Sequence, residues 1–134
     1  MNRILSRLLA FALVAVIGLT GCSGSGVGAD GLSGVYRDDT VAVIDSLRTA
    51  INLPKDAPTL GEAQADAKDK INAFAARYRR GSAASLGSFA TMRTALNALA
   101  GHYSSYPNRP VPEKLRNRLE QEFKQVEMAL KREA

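Results

Sequence analysis

The residues with chemistry to offer are few. Cys22 is the only cysteine and His102 the only histidine in 134 residues. One thiol cannot close an intrachain disulfide, and one Cys with one His falls short of a structural zinc site. A Cys–His nucleophile pair would need both, yet nothing around Gly101-His102 supplies an activated nucleophile or an orienting group. His102 reads instead as a last-turn residue interacting with a helix dipole. Glu62, Asp66 and Asp69 form a helical row of carboxylates that could meet a hard cation. Lys68 and Lys70 interleave with that row, and one exposed helix offers fewer oxygens than the about six to eight a calcium ion takes, so it reads as a solvated face. No Glu-x-x-His pair, Gly-rich phosphate loop or Gly-x-Ser-x-Gly turn occurs. The reading is therefore no catalytic residue, no metal ligand and no cofactor.

Two surface features survive. One is Arg77-Tyr78-Arg79-Arg80; the other is the stretch from Gly101 to Pro110, which mixes His, Tyr, Arg and Pro. Tyr and Arg are enriched where proteins bind proteins. Tyr78 and Tyr103 fit an apolar stripe and read as core residues. Arg77, Arg79, Arg80, Tyr106 and Arg109 remain as the partner-binding candidates.

Cys22 belongs to different chemistry. Arg3 and Arg7 precede an apolar run of 12 residues, Leu8 to Leu19. As a helix that run would span about 18 Å against about 30 Å of bilayer hydrocarbon, too short to anchor and typical of an export signal. Leu19-Thr20-Gly21-Cys22 resembles the bacterial lipobox, which implies acylation of the Cys22 sulfur and cleavage before it. Each buried CH₂ contributes about 0.8 kcal/mol, so two or three acyl chains hold a protein that one would hold only marginally. The Ser- and Gly-rich segment after Cys22 has the composition of a flexible tether. The expected organisation is a signal peptide over 1–21, lipidated Cys and tether over 22–33, and one folded domain over 34–134.

Without residues 1–21 the chain has 16 bases and 13 acids, a balance that excludes a nucleic-acid signature. The charges are polarised: 5 bases and 8 acids over 22–76, 11 bases and 5 acids over 77–134. Such a chain can orient against an acidic protein surface.

The elements that must position these residues are helices. Apolar residues recur at helical spacing in four windows. The first is Asp39 to Asn52, with Asp38 or Asp39 as N-cap and Pro54 ending it; the second is Leu60 to Arg80, opened by a Thr59/Glu62 capping box and closed at Gly81. The third carries Leu86, Phe89, Met92, Leu96, Leu99 and Tyr103 and frays near Ser104 to Tyr106. The fourth starts at Pro112 and carries Leu115, Leu119, Phe123, Val126 and Leu130, with Arg116/Glu120, Glu120/Lys124 and Glu127/Lys131 as surface pairs. No window alternates like a strand. Short connections and one apolar stripe per helix predict an all-α, up-down-up-down four-helix bundle.

Several tracts resemble a known family. They are Gly34–Thr40, Arg48–Pro54, Arg77–Arg80, Thr94–Tyr103, Asn108–Pro110 and Leu119–Phe123. Together with the lipobox they resemble the small cyanobacterial photosystem II assembly lipoproteins, luminal four-helix accessory factors of the Psb group. The likeness runs from Gly34 to Glu133, while the loop Gly81–Ser85 and the tether carry no family tract. It implies a non-enzymatic, monomeric factor for photosystem II assembly and repair, lipid-anchored to the thylakoid membrane on its luminal side. Such factors bind intermediates through the luminal loop of the inner chlorophyll-binding antenna protein, before the manganese cluster and extrinsic subunits are in place. The residues alone also permit a generic envelope lipoprotein that binds another exported protein, or a manganese- or calcium-handling protein.

Overall fold

The computed structural model describes residues 31–133. The expected signal peptide, Cys22 and all but the last residues of the expected tether lie outside that range. Four helices follow in order: α1 (Tyr36–Ile51), α2 (Leu60–Tyr78), α3 (Gly87–Ser105) and α4 (Glu113–Glu133), with a 3₁₀ turn (Ser82–Ser85) before α3. No strand occurs among the described residues. Packing contacts join α1 to α2, α2 to α3, α3 to α4 and α4 to α1, closing an up-down-up-down bundle. One end holds the starts of α1 and α3 and the ends of α2 and α4; the other holds the opposite termini.

The predicted stripes form the core. Ile44, Leu47 and Ile51 of α1, Ala67, Ile71, Phe74 and Tyr78 of α2, Phe89, Met92, Leu96, Leu99 and Tyr103 of α3, and Leu119, Phe123, Val126 and Leu130 of α4 are all buried. Leu86 and Leu115, at stripe ends, are only half-buried. Tyr36, Phe74, Tyr78 and Phe89 cluster near one end, the Tyr36 and Tyr78 rings meeting edge-on at 5.2 Å, a favoured aromatic geometry.

The boundaries differ from expectation for identifiable reasons. α1 begins a turn early, at Tyr36, and its N-cap Val35 has no side-chain cap bond. Asp39 is not the N-cap; its buried carboxylate reaches back to accept from the Ser33 amide (2.8 Å), the Ser33 hydroxyl (2.7 Å), the Gly34 amide (3.1 Å) and the Tyr78 hydroxyl. Gly34 there has φ +91°, the left-handed region that favours glycine, and a Cβ would lie 3.0 Å from Arg77 Nη2, so the Arg77 tip lies close against this backbone. Leu32, expected in the tether, is only 5 % exposed and belongs to the core. Ordered packing thus begins before Gly34.

The Thr59/Glu62 capping box does not form: Thr59 makes no side-chain cap bond, and the first turn of α2 uses backbone bonds from Leu60 to Ala57 and Ala63 to Thr59 instead. α2 stops at Tyr78, with Arg79 and Arg80 in the turn beyond it. On α4, Glu120 and Glu127 do not pair with Arg116, Lys124 or Lys131. Both turn to Arg48 of α1, Nε to Glu120 at 3.1 Å and Nη2 to Glu127 at 2.5 Å, with the guanidinium 5.8 Å from the Phe123 ring centre. A bundle brings a guanidinium fork across the seam, which sequence spacing within one helix cannot show. The surface pairs that do form within helices are Lys70–Asp66 and Arg118–Glu122.

Candidate partner-binding surfaces

The two groups of candidate residues sit at opposite ends of the bundle. α3 separates them by 19 residues, about 28 Å of helix.

The first end is also where the chain enters the bundle. Arg77 packs its guanidinium against Gly34, so it belongs to the entry structure as much as to the surface. Arg79 and Arg80 are exposed. Arg79 rims a depression of about 250 Å³ between α2 and α3, floored by Ile71, Phe74, Phe89 and Leu96 and rimmed opposite by Arg93. At the same end Glu133 of α4 accepts from the Ser88 amide (3.1 Å) and hydroxyl (2.6 Å). A carboxylate at the positive start of α3 is well placed. Ser88 Oγ is spent donating to Glu133, so in its 2.7 Å contact with Tyr36 the tyrosine donates. Burial pushes the Tyr36 hydroxyl's pKa up, and the nearby Glu133 carboxylate adds to the rise.

The second end is concave. A groove of about 740 Å³ is lined by Lys55 of the α1–α2 loop, His102 and Tyr106 of the α3 end, and Asn108, Arg109, Pro110 and Pro112 of the α3–α4 loop. Tyr106 is 52 % exposed, and its ring lies tilted at 33° to the His102 ring with centres 5.3 Å apart. The loop is a defined turn: the Arg109 amide donates to the Tyr106 carbonyl (3.3 Å), Pro107 follows Tyr106, and Asn108 takes φ +62°. Proline then a left-handed residue is the type II pattern, and Asn tolerates that region best after Gly. Gln64 of α2 holds the turn from beneath. Its Oε1 accepts from the Asn108 amide (3.0 Å) and its Nε2 donates to the Arg109 carbonyl (2.6 Å).

Tyr106 and Arg109 are therefore brought together in one groove, whereas Arg77, Arg79 and Arg80 are not joined to them. Lys55 and Gln64 escaped the sequence reading. Gln64 left a signal: it interrupts the α2 core stripe between Leu60 and Ala67, and a buried polar residue must have partners. Lys55 left none.

The other candidates resolve simply. Tyr103 is core, as expected, but among the described residues its hydroxyl is shielded without a hydrogen-bond partner, and burial pushes its pKa up to about 12. Asp66 of the carboxylate row is engaged by Lys70 (2.7 Å), and Glu62 and Asp69 are exposed. Among the described residues no group of three acidic, His or Cys side chains is arranged to hold a metal ion, and no helix is long and apolar enough to cross a membrane.

Fold and surface together define a class: a small antiparallel four-helix bundle whose distinctive features are a basic chain-entry end and a cationic groove at the far end. The comparisons narrow the class. Residues 8–130 match the family described as Photosystem II Pbs27, and the chain belongs to it. It is 56 % identical over 135 residues to the Photosystem II assembly factor lipoprotein Psb27 of Thermosynechococcus vestitus, covering 100 % of this chain and 98 % of that protein. It is 55 % identical over 129 residues to the Photosystem II lipoprotein Psb27 of Synechocystis, covering 96 % and 93 %. Among solved structures, the solution structure of Psb27 from cyanobacterial photosystem II superposes with a TM-score of 0.74 at 52 % identity, covering 83 % of this chain and 97 % of that one.

Proposed function

We propose that this chain is a membrane-anchored, non-catalytic factor for the assembly and repair of photosystem II. Family membership across almost the whole chain carries the reading. In detail, acylated Cys22 holds the domain at the luminal face of the thylakoid membrane. There, as a monomer, it binds intermediates through the luminal loop of the inner chlorophyll-binding antenna protein, before the manganese cluster and extrinsic subunits are in place. Arg79 and Arg80 at one end, or Tyr106 and Arg109 at the other, provide the contact. The paired, polarised surface and the shaped groove support binding as the mode of action.

The test is affinity capture of the tagged, lipidated protein from thylakoid membranes, followed by mass spectrometry. Photosystem II core subunits, the inner antenna protein among them, are the expected catch. Recovery of other exported proteins without them would overturn the assembly reading. Intact mass of the same preparation checks the anchor, since unmodified Cys22 would remove it.

A further inference from the structure

Resting on the assembly reading, the geometry points to the α3–α4 groove as a preformed docking site for an extended acidic segment of a protein partner. Charge comes first. Among the described residues the cations Lys55 and Arg109 line the groove and no carboxylate does, although Asp56 and Glu113 are chain neighbours of lining residues. A second depression of about 370 Å³ continues past Pro112 along the first turn of α4, lined by Lys114, Leu115 and Arg118. Among the described residues Lys55, Arg109 and Lys114 make no ion pair, whereas Arg118 is held by Glu122 at 3.0 Å. Unpaired cations around a concavity raise the local concentration of anionic groups and complement a negative partner.

Shape comes next. The groove walls are the Tyr106 ring and the rings of Pro110 and Pro112. Proline has no N–H, so this wall offers little backbone pairing to an incoming strand. Recognition falls on side chains. An extended segment places alternate side chains on one side about 6.6 Å apart, so successive carboxylates can meet more than one of the cations around the two depressions. The ring faces then cover its apolar stems. A bilayer is a poorer match, because the groove is recessed.

Preorganisation comes third. Gln64 is 5 % exposed and gives both ends of its amide to the turn, fixing Asn108 and Arg109. A Cβ on Gly61 would sit 3.1 Å from Asn108 Oδ1, so α2 approaches the loop closely. A turn ordered beforehand lowers the ordering cost of binding. This gives the buried Gln64 amide a positioning role.

The probe is a fluorescein-labelled peptide alternating Glu and Ala, offered to the mature, lipidated protein in neutral detergent, with a Gln-for-Glu peptide as control. Anisotropy should show binding of the Glu peptide alone, weakening as salt rises. Carbodiimide coupling, followed by mass spectrometry, should join it to Lys55 and Lys114 in preference to Lys68, Lys124 and Lys131. Lys55→Glu with Arg109→Glu should weaken binding at least about tenfold, whereas Lys124→Glu with Lys131→Glu, exposed on α4 away from the groove, should not. Circular dichroism checks that both variants are folded. Equal coupling to all exposed lysines, equal binding of the Gln peptide, or indifference to the Lys55/Arg109 reversal would overturn the site. So would protection of Lys55 and Lys114 from acetylation by phosphatidylglycerol vesicles but not by the peptide, which would assign the groove to lipid headgroups. The two readings fail separately. If membrane capture recovers photosystem II subunits but the peptide does not bind, the groove proposal falls alone; if the peptide binds and no photosystem II subunit is captured, the assembly reading falls.

Discussion

At the scale of single residues, two buried tyrosines in similar positions have opposite polar surroundings. Tyr78 donates to the Asp39 carboxylate, while the Tyr103 hydroxyl has no hydrogen-bond partner among the described residues. Removing a donor from a buried charge costs about 1.5–3 kcal/mol, whereas removing an unsatisfied hydroxyl relieves a penalty. Tyr78→Phe should therefore lower stability in denaturant melts by about 1.5–3 kcal/mol, and Tyr103→Phe should leave it within about 1 kcal/mol or raise it. Equal losses would contradict the hydrogen-bond assignment. Asp39 adds a pH dependence. Burial acts to raise its pKa, but bonds from Tyr78, Ser33 and Gly34 outweigh it and hold the carboxyl below its ordinary value. With the folded value below the unfolded one, the unfolded chain takes up the proton first as pH falls. The stabilisation is complete above the unfolded value of about 4 and is lost as pH falls through the folded value. Asp39→Asn should be less stable than wild type at pH 7 and lose less on acidification, measured by chemical melts across that range.

At the scale of elements, the four apolar stripes were legible because helical spacing alone determines which residues share a face. Leu96 and Leu119 are 3 % and 0 % exposed, and Lys131 is exposed. Leu96→Ala and Leu119→Ala should each cost about 2–5 kcal/mol, against about 0.5 kcal/mol or less for Lys131→Ala. Similar denaturant midpoints for all three would contradict the helix faces. The termini were less legible, since caps depend on what lies across the bundle. Asp39 looked like a cap because it is an acid before an apolar run, yet Ser33, Gly34 and Tyr78 drew its carboxylate backwards. Glu120 and Glu127 looked like partners of their own helix and instead share Arg48, 72 and 79 residues away. The groove was half-legible. The stretch from Gly101 to Pro110 stood out as a mix of aromatic, Arg and Pro residues, but Lys55 reaches it only through the packing of α1 and α2 against that end. Gln64, Asp39 and Ser88 share a pattern: each is a polar residue on a buried face, and each ties a loop or a helix end to a neighbour.

At the scale of the whole molecule, the chain enters at one end and the groove lies at the other. Leu32 packs into the core and Gly34 lies against Arg77, so a lipid on Cys22 would pull on the end carrying Arg79 and Arg80. The ten residues from Cys22 to Gly31 can span at most about 36 Å, comparable with the length of α3. With Cys22 lipidated as proposed, the anchor would attach at the basic entry end, and the groove would lie at the end farther from the attachment point. This asymmetry distinguishes the two candidate contacts. Arg79→Glu with Arg80→Glu spares Arg77, which supports the entry segment, and Tyr106→Ala with Arg109→Ala leaves Gln64 and its backbone partners in place. Both variants should keep wild-type helicity. The groove variant should lose capture of photosystem II intermediates at all salt concentrations, because it removes an aromatic anchor together with a cation. Any loss from the entry-end variant should be confined to low salt, since exposed charges beyond about 8–10 Å are screened at physiological ionic strength. Quantifying captured core subunits across a salt series measures both. Full capture by the groove variant would move the contact to the other end, and full capture by both would place it on a helix face between them.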